Sequence, residues 1–203
     1  MRSLFSIWIV ASSLACALAA CGGAQSAGGG GTGLLEVGAT APDFLAPDQT
    51  GEPRRFEALR GGHAAVLFFY PRDGTPGCTA EACAFRDAWD RLEAAGAVVI
   101  GVSTDDWEMH QRFAEEHDLQ FPLLSDPEGR VLARYGVPRM MNMASRVTFI
   151  VGRDGRIARV FIDVDPGVHV EEVLAALAEL PAPEPAAQPE GDPGDEPAPA
   201  PSE

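Results

Sequence analysis

Cys78 and Cys83 stand five residues apart in the stretch Tyr70-Pro-Arg-Asp-Gly-Thr-Pro-Gly-Cys-Thr-Ala-Glu-Ala-Cys-Ala-Phe-Arg-Asp87. A strand-like run precedes them and a helix-like run follows, so Cys78 falls in the first turn of a helix just past a buried strand. The unpaired N–H groups and positive end of a helix favour an anion there. For cysteine that anion is the thiolate, its reactive form. The spacing carries a second argument. Positions five apart in an intact α-helix have Cα atoms roughly 8–9 Å apart, whereas a disulfide requires about 7 Å or less. The two sulfurs therefore join only if the first turns unwind, which suits a redox cycle better than a structural staple. The plainer reading takes each cysteine as a small buried hydrophobe. On the helical wheel Cys78 does share the apolar face of Phe85, Trp89 and Leu92, but Cys83 lies about 140° away, beside Arg86, Asp87 and Asp90.

The elements that position this pair follow from hydrophobic patterning. Ala64–Tyr70 and Ala97–Ser103 are continuous apolar runs of strand length. Between them a helix is predicted from Cys78 to Ala95, with Thr75 at the N-cap, Pro76 at the first helical position and Gly96 as terminator. A helix over Asp106–His117 turns Met109 and Phe113 inward. Phe121–Ser125 is a short strand and Val131–Tyr135 a short helix. Arg146–Val151 and Ile157–Ile162 form a hairpin around Arg153-Asp-Gly-Arg156. Val170, Val173, Leu174, Leu177 and Leu180 make the apolar stripe of a last helix. The order βαβα followed by ββα is that of an α/β thioredoxin-like fold, a central mixed β-sheet flanked by helices.

Composition sets the limits of that domain within 203 residues. Residues 1–21 resemble a bacterial lipoprotein signal: Arg2, an uncharged apolar run from Leu4 to Ala20, and the lipobox-like Leu18-Ala-Ala-Cys21. Cys21 is then the lipidated N-terminus. The rival is a transmembrane helix, which a run this short barely allows. Cys16 has no assigned role. Residues 22–33 form a tether with seven glycines among twelve residues, a coil with a reach of about 20 Å. One domain spans 34–180. Residues 181–203, with eight prolines, six acidic and no basic residues, read as a disordered, solvated tail. The 15 basic residues are all arginine, and the net charge of −15 excludes nucleic acid and anionic membrane surfaces as partners. With Cys16 removed and Cys21 lipidated, Cys78 and Cys83 are the working pair of an exported domain.

Pro71-x-x-x-Thr75-x-x-Cys78 resembles the active-site signature of the peroxiredoxins, and a second cysteine five residues on resembles their Q-type branch, the bacterioferritin comigratory proteins. Val102-Ser-Thr-Asp105, Phe121-Pro-Leu-Leu-Ser-Asp126, Tyr135-Gly-Val137 and Arg146-Val-Thr-Phe-Ile150 recur in that order in the family. The resemblance covers about Val37 to Leu180. It implies a thiol peroxidase acting on hydrogen peroxide and organic hydroperoxides. Cys78 would be peroxidatic and pass through a sulfenic acid. Cys83 would resolve it as an intramolecular disulfide, and a thioredoxin-like donor would reduce that. Arg146 would stabilise the thiolate and the departing oxygen, Thr75 would orient the peroxide, and Pro71 would shape the loop and shield the sulfur. Apart from the resemblance, Thr75 reads as a plain N-cap and Arg146 as half of a surface ion pair.

No cofactor or metal is implied, and a monomer is expected. Glu81 is taken as a dipole partner without a catalytic role, and His63, His110, His117 and His169 as surface or core histidines. Export separates the protein from cytosolic donors. Gly22 after the lipidated cysteine, in place of aspartate, favours the outer membrane within the cell envelope. Met140, Met141 and Met143 in the loop 138–144 are apolar cover or a soft-metal cluster. Two other functions fit the same fold. A thiol–disulfide oxidoreductase would want Cys-x-x-Cys, and this chain has four residues between its cysteines. A copper-binding lipoprotein would want a histidine within 138–145, which holds none.

Overall fold

The computed structural model describes residues 33–162 and 164–181. The signal and lipobox reading of 1–21, the tether apart from Gly33, and the tail from 182 lie outside the described residues. In chain order the elements are β1 (Leu45–Pro47), β2 (Pro53–Arg55), α1 (Phe56–Arg60), β3 (Ala64–Phe69), α2 (Pro76–Asp87), α3 (Trp89–Ala94), β4 (Ala97–Ser103) and α4 (Trp107–Glu116). They continue with β5 (Leu123–Ser125), α5 (Arg130–Tyr135), β6 (Arg139–Met140), β7 (Met143–Ala144), β8 (Val147–Val151), β9 (Ile157–Ile162) and α6 (His169–Ala178).

Five strands form a mixed sheet in the order β5-β4-β3-β8-β9. β4 runs parallel to β3 and β5, whereas β8 is antiparallel to β3 and β9. This is the thioredoxin-like architecture anticipated from the element order. The central strand β3 is apolar throughout because both its faces are covered. Alternate residues serve two cores. Ala64, Val66 and Phe68 pack with α2, α3, α6 and Phe113 of α4, while Ala65, Leu67 and Phe69 pack with Phe56 of α1, Tyr135 of α5 and Phe149. Phe68 lies 4.9 Å from Phe85 of α2, ring centroid to centroid, and so seats that helix on the sheet. Its partner across the ladder is Gly101, where a Cβ would stand 2.8 Å from the Phe68 ring. That approach admits only glycine.

Three local readings change. The helix expected to run from Cys78 to Ala95 divides at Ala88 (φ −95°, ψ 8°), which caps α2 and opens α3. The Arg91 N–H bonds back to Ala88 O at 3.0 Å, a tighter turn that no glycine or proline announces. The β1–β2 hairpin and α1 add to the expected order. Their strands are three residues long with a proline in each, a pattern that argues against pairing. In α4 the inward position beside Phe113 belongs to His110, fully buried, and Met109 is only half-buried.

Candidate active site

Tyr70 still donates its N–H to Val102 O at 3.1 Å, so the chain leaves the sheet at Pro71, at the carboxyl end of β3. Thr75 is the N-cap of α2 and Pro76 its first residue, as the sequence predicts. The Thr75 hydroxyl does not cap the helix; it donates to Arg72 O at 3.1 Å. The first N–H groups of α2 are thus left without a side-chain acceptor, in the arrangement that receives an anionic oxygen.

Cys78 is the third residue of α2 and only 1% exposed, packed in the core cluster with Tyr70, Ala82 and Phe85. The antiparallel register of β3 and β8 pairs Phe69 with Val147, which sets Arg146 beside the first turn of α2. Arg146 Nη2 donates to Cys78 Sγ at 3.3 Å, and Nη1 pairs with Glu81 Oε2. A fixed cation against a sulfur favours its anionic, nucleophilic form. Burial works against the Arg146 charge, but Glu81 and Cys78 hold the guanidinium above its ordinary value. Cys83 is partly exposed on the same helix, and both cysteines are free thiols.

Glu81 corrects the sequence reading. It lies beyond the first turn of α2 and is fully buried, its partner being Arg146 rather than the helix dipole. Burial pushes its carboxyl up to about 7 against the pull of Arg146, and its Oε1 meets no hydrogen-bond partner among the described residues. Arg146 is correspondingly part of a mostly buried pair, its side chain 17% exposed, rather than half of a surface pair. The spacing of three residues from Cys78 places Glu81 near it on one helix face, and that was the available signal.

Pro71 is half-buried and lines a cavity of about 350 Å³ with Thr104, Asp105, Met109, Met141 and Met143. The loop 138–144 forms the β6–β7 hairpin, with Met141 and Asn142 at positive φ of 48° and 63°. Both φ signs fit a tight two-residue loop. His63 is exposed and His117 half-buried, while His110 and His169 are fully buried. His110 belongs to a polar cluster around Asp73 that sequence reasoning missed.

The sequence model of the AhpC/TSA family matches residues 37–160. Peroxiredoxin Q, chloroplastic, of Sedum lineare is 38% identical over 146 residues, covering 70% of this chain and 78% of the relative. Among solved structures, the peroxidoxin BcpB of Mycobacterium tuberculosis is 37% identical with a TM-score of 0.69, covering 73% of this chain and 99% of that one. The Xanthomonas campestris bacterioferritin comigratory protein, whose structures were analysed for its alkyl peroxide reduction activity, is 30% identical with a TM-score of 0.63, covering 72% and 97%. A sulfur held by a partly buried arginine at the start of a helix, on this sheet and with these relatives, assigns the chain to the AhpC/TSA family and within it to the peroxiredoxin Q branch: it is a peroxiredoxin, a thiol-dependent peroxidase.

Proposed function

We propose that the enzyme reduces hydrogen peroxide and organic hydroperoxides through Cys78, resolves the oxidised sulfur with Cys83, and is re-reduced by a thioredoxin-like dithiol. The observation that carries this reading is the 3.3 Å contact from Arg146 Nη2 to Cys78 Sγ at the start of α2. The Cys78 thiolate attacks one peroxide oxygen, and the O–O bond breaks. The sulfur becomes a sulfenic acid, and the other oxygen leaves as water or alcohol after taking a proton. Arg146 and the open N–H groups of α2 stabilise the charge gathering on the departing oxygen. Thr75 orients the peroxide, Pro71 shields the sulfur, and Glu81 holds the guanidinium in place. The Cys83 thiol then attacks the sulfenic sulfur, expelling water and forming the disulfide. A donor dithiol returns the two electrons by exchange. The mature protein carries lipid at Cys21 and works as a monomer in the cell envelope, with the outer membrane preferred.

Peroxide consumption by the full chain, supplied with a thioredoxin-like donor, tests this. Cys78→Ser abolishes it. Arg146→Ala slows Cys78 oxidation by on the order of a hundredfold, the scale seen when a donor to a developing oxyanion is removed. Full turnover by Cys78→Ser contradicts the assignment.

A further inference from the structure

The loop between β3 and α2 is fastened to the domain by a buried polar cluster that the chemistry above does not use. The Tyr70 hydroxyl donates to Asp73 Oδ1 at 2.8 Å, and His110 Nδ1 lies 2.7 Å from Asp73 Oδ2. The Asp73 N–H donates to Asp105 Oδ2 at 2.9 Å, and Ser103 Oγ donates to the same oxygen at 2.7 Å. Tyr70 and His110 are 1% and 0% exposed. A carboxylate only accepts, so the His110 ring presents its proton from Nδ1. Its Nε2 is buried and meets no partner among the described residues. Groups this thoroughly buried are costly unless their bonds fix one arrangement. What they fix is the segment that leads into the first turn of α2, which carries the reactive sulfur, for Gly74 follows Asp73 at φ +68°, and Thr75 and Pro76, the N-cap and first residue of α2, follow Gly74.

We propose that His110, acting through Asp73, is a positioning residue. It holds the Pro71–Thr75 loop in place ahead of the first turn of α2, and it stops the unwinding of α2 at Gly74. The second half rests on the proposed resolution by Cys83. The anchor has opposite consequences for the two chemical steps. It keeps Thr75 and the first turn of α2 assembled, which speeds attack on the peroxide. It also resists the unwinding that brings Cys83 to Cys78, which slows disulfide formation. Beyond Gly74 the chain is free to swing, while Asp73 stays on α4 and returns the loop to the same place after each cycle.

Single-turnover kinetics of the full chain separate the two steps. Cys78 oxidation by hydrogen peroxide is measured in a Cys83→Ser background, where resolution cannot occur. Disulfide formation is measured with both cysteines present. His110→Ala is expected to slow the first about tenfold and to speed the second by a similar factor, the scale of one lost charge-assisted hydrogen bond. His110→Asn puts an N–H near the place of Nδ1 and restores both rates. His110→Gln puts its N–H near the place of Nε2 and restores neither. The Asn and Gln variants decide the matter even if the alanine variant does not fold. Equal rates for Asn and Gln, or an oxidation rate in the Cys83→Ser background indifferent to His110, overturns the proposal. If the chain with both cysteines forms no intramolecular disulfide, the resolution reading fails, and the oxidation rates alone decide the role of His110.

Discussion

At the scale of single residues the site turns on one guanidinium serving two acidic groups. Arg146 reaches Cys78 with one nitrogen and Glu81 with the other. Because burial outweighs that pairing, the Glu81 carboxyl titrates near 7 in the folded protein against an ordinary 4.5. The folded state therefore keeps a proton that the unfolded state has already lost. Stability contributed through this group is greatest below about pH 4.5 and falls as pH rises toward 7, by on the order of 3 kcal/mol. Glu81→Gln should remove that decline. Urea unfolding of both forms between pH 5 and about 8 checks it, and parallel stability curves for the two contradict it. None of this was legible in the sequence beyond the spacing of Glu81 from Cys78. The pairing spans 65 residues, and only the β3–β8 register closes that gap. Asp73 and His110, 37 residues apart, were hidden for the same reason. Cys78 itself was legible, because its position depends on local signals: the apolar run of β3, then Thr75 and Pro76.

The element that matters most is α2. It holds both cysteines, and it ends at Asp87 rather than running to Ala95. The unit that the proposed resolution would unwind is thus a short helix with its own boundary, set apart from α3 at Ala88. Two free cysteines on an intact α2 represent the reduced arrangement. Oxidation is expected to melt the first turns, at a cost of a few backbone hydrogen bonds of about 0.5–1.5 kcal/mol each. The disulfide offsets this, so the redox state selects between two arrangements. Amide exchange over 76–86 should quicken on oxidation while β3, buried on both faces, stays protected. Cys83→Ser should complete its first turnover, stall as sulfenic acid and overoxidise under excess peroxide. An oxidised α2 as protected as the reduced one argues against the unwinding. The sequence pattern located this helix but not its break, since Ala88 is a good helix former. No local stop signal marks the turn there, and Leu92 beyond it is buried in the core.

For the whole molecule, an acidic chain with net charge −15 keeps Cys78 and Glu81 buried at the carboxyl end of β3. The continuous apolar runs of β3 and β4 made the sheet legible in advance. The short β1–β2 and β6–β7 hairpins were not, because strands of two or three residues carry no period to read. If Cys21 carries lipid, Cys21→Ala should move the protein from the detergent phase to the soluble envelope fraction, as fractionation and blotting would show. Unchanged membrane association speaks against the anchor. The central claim, attack by Cys78 and resolution by Cys83 within one chain, is tested most directly by treating the reduced full chain with one equivalent of hydrogen peroxide. The products are then mapped by mass spectrometry without reduction. The account predicts a monomer that has lost two hydrogens, with the peptides of Cys78 and Cys83 joined, and no such product from Cys78→Ser. A Cys78 that remains a thiol, or a disulfide that links two chains, would contradict it.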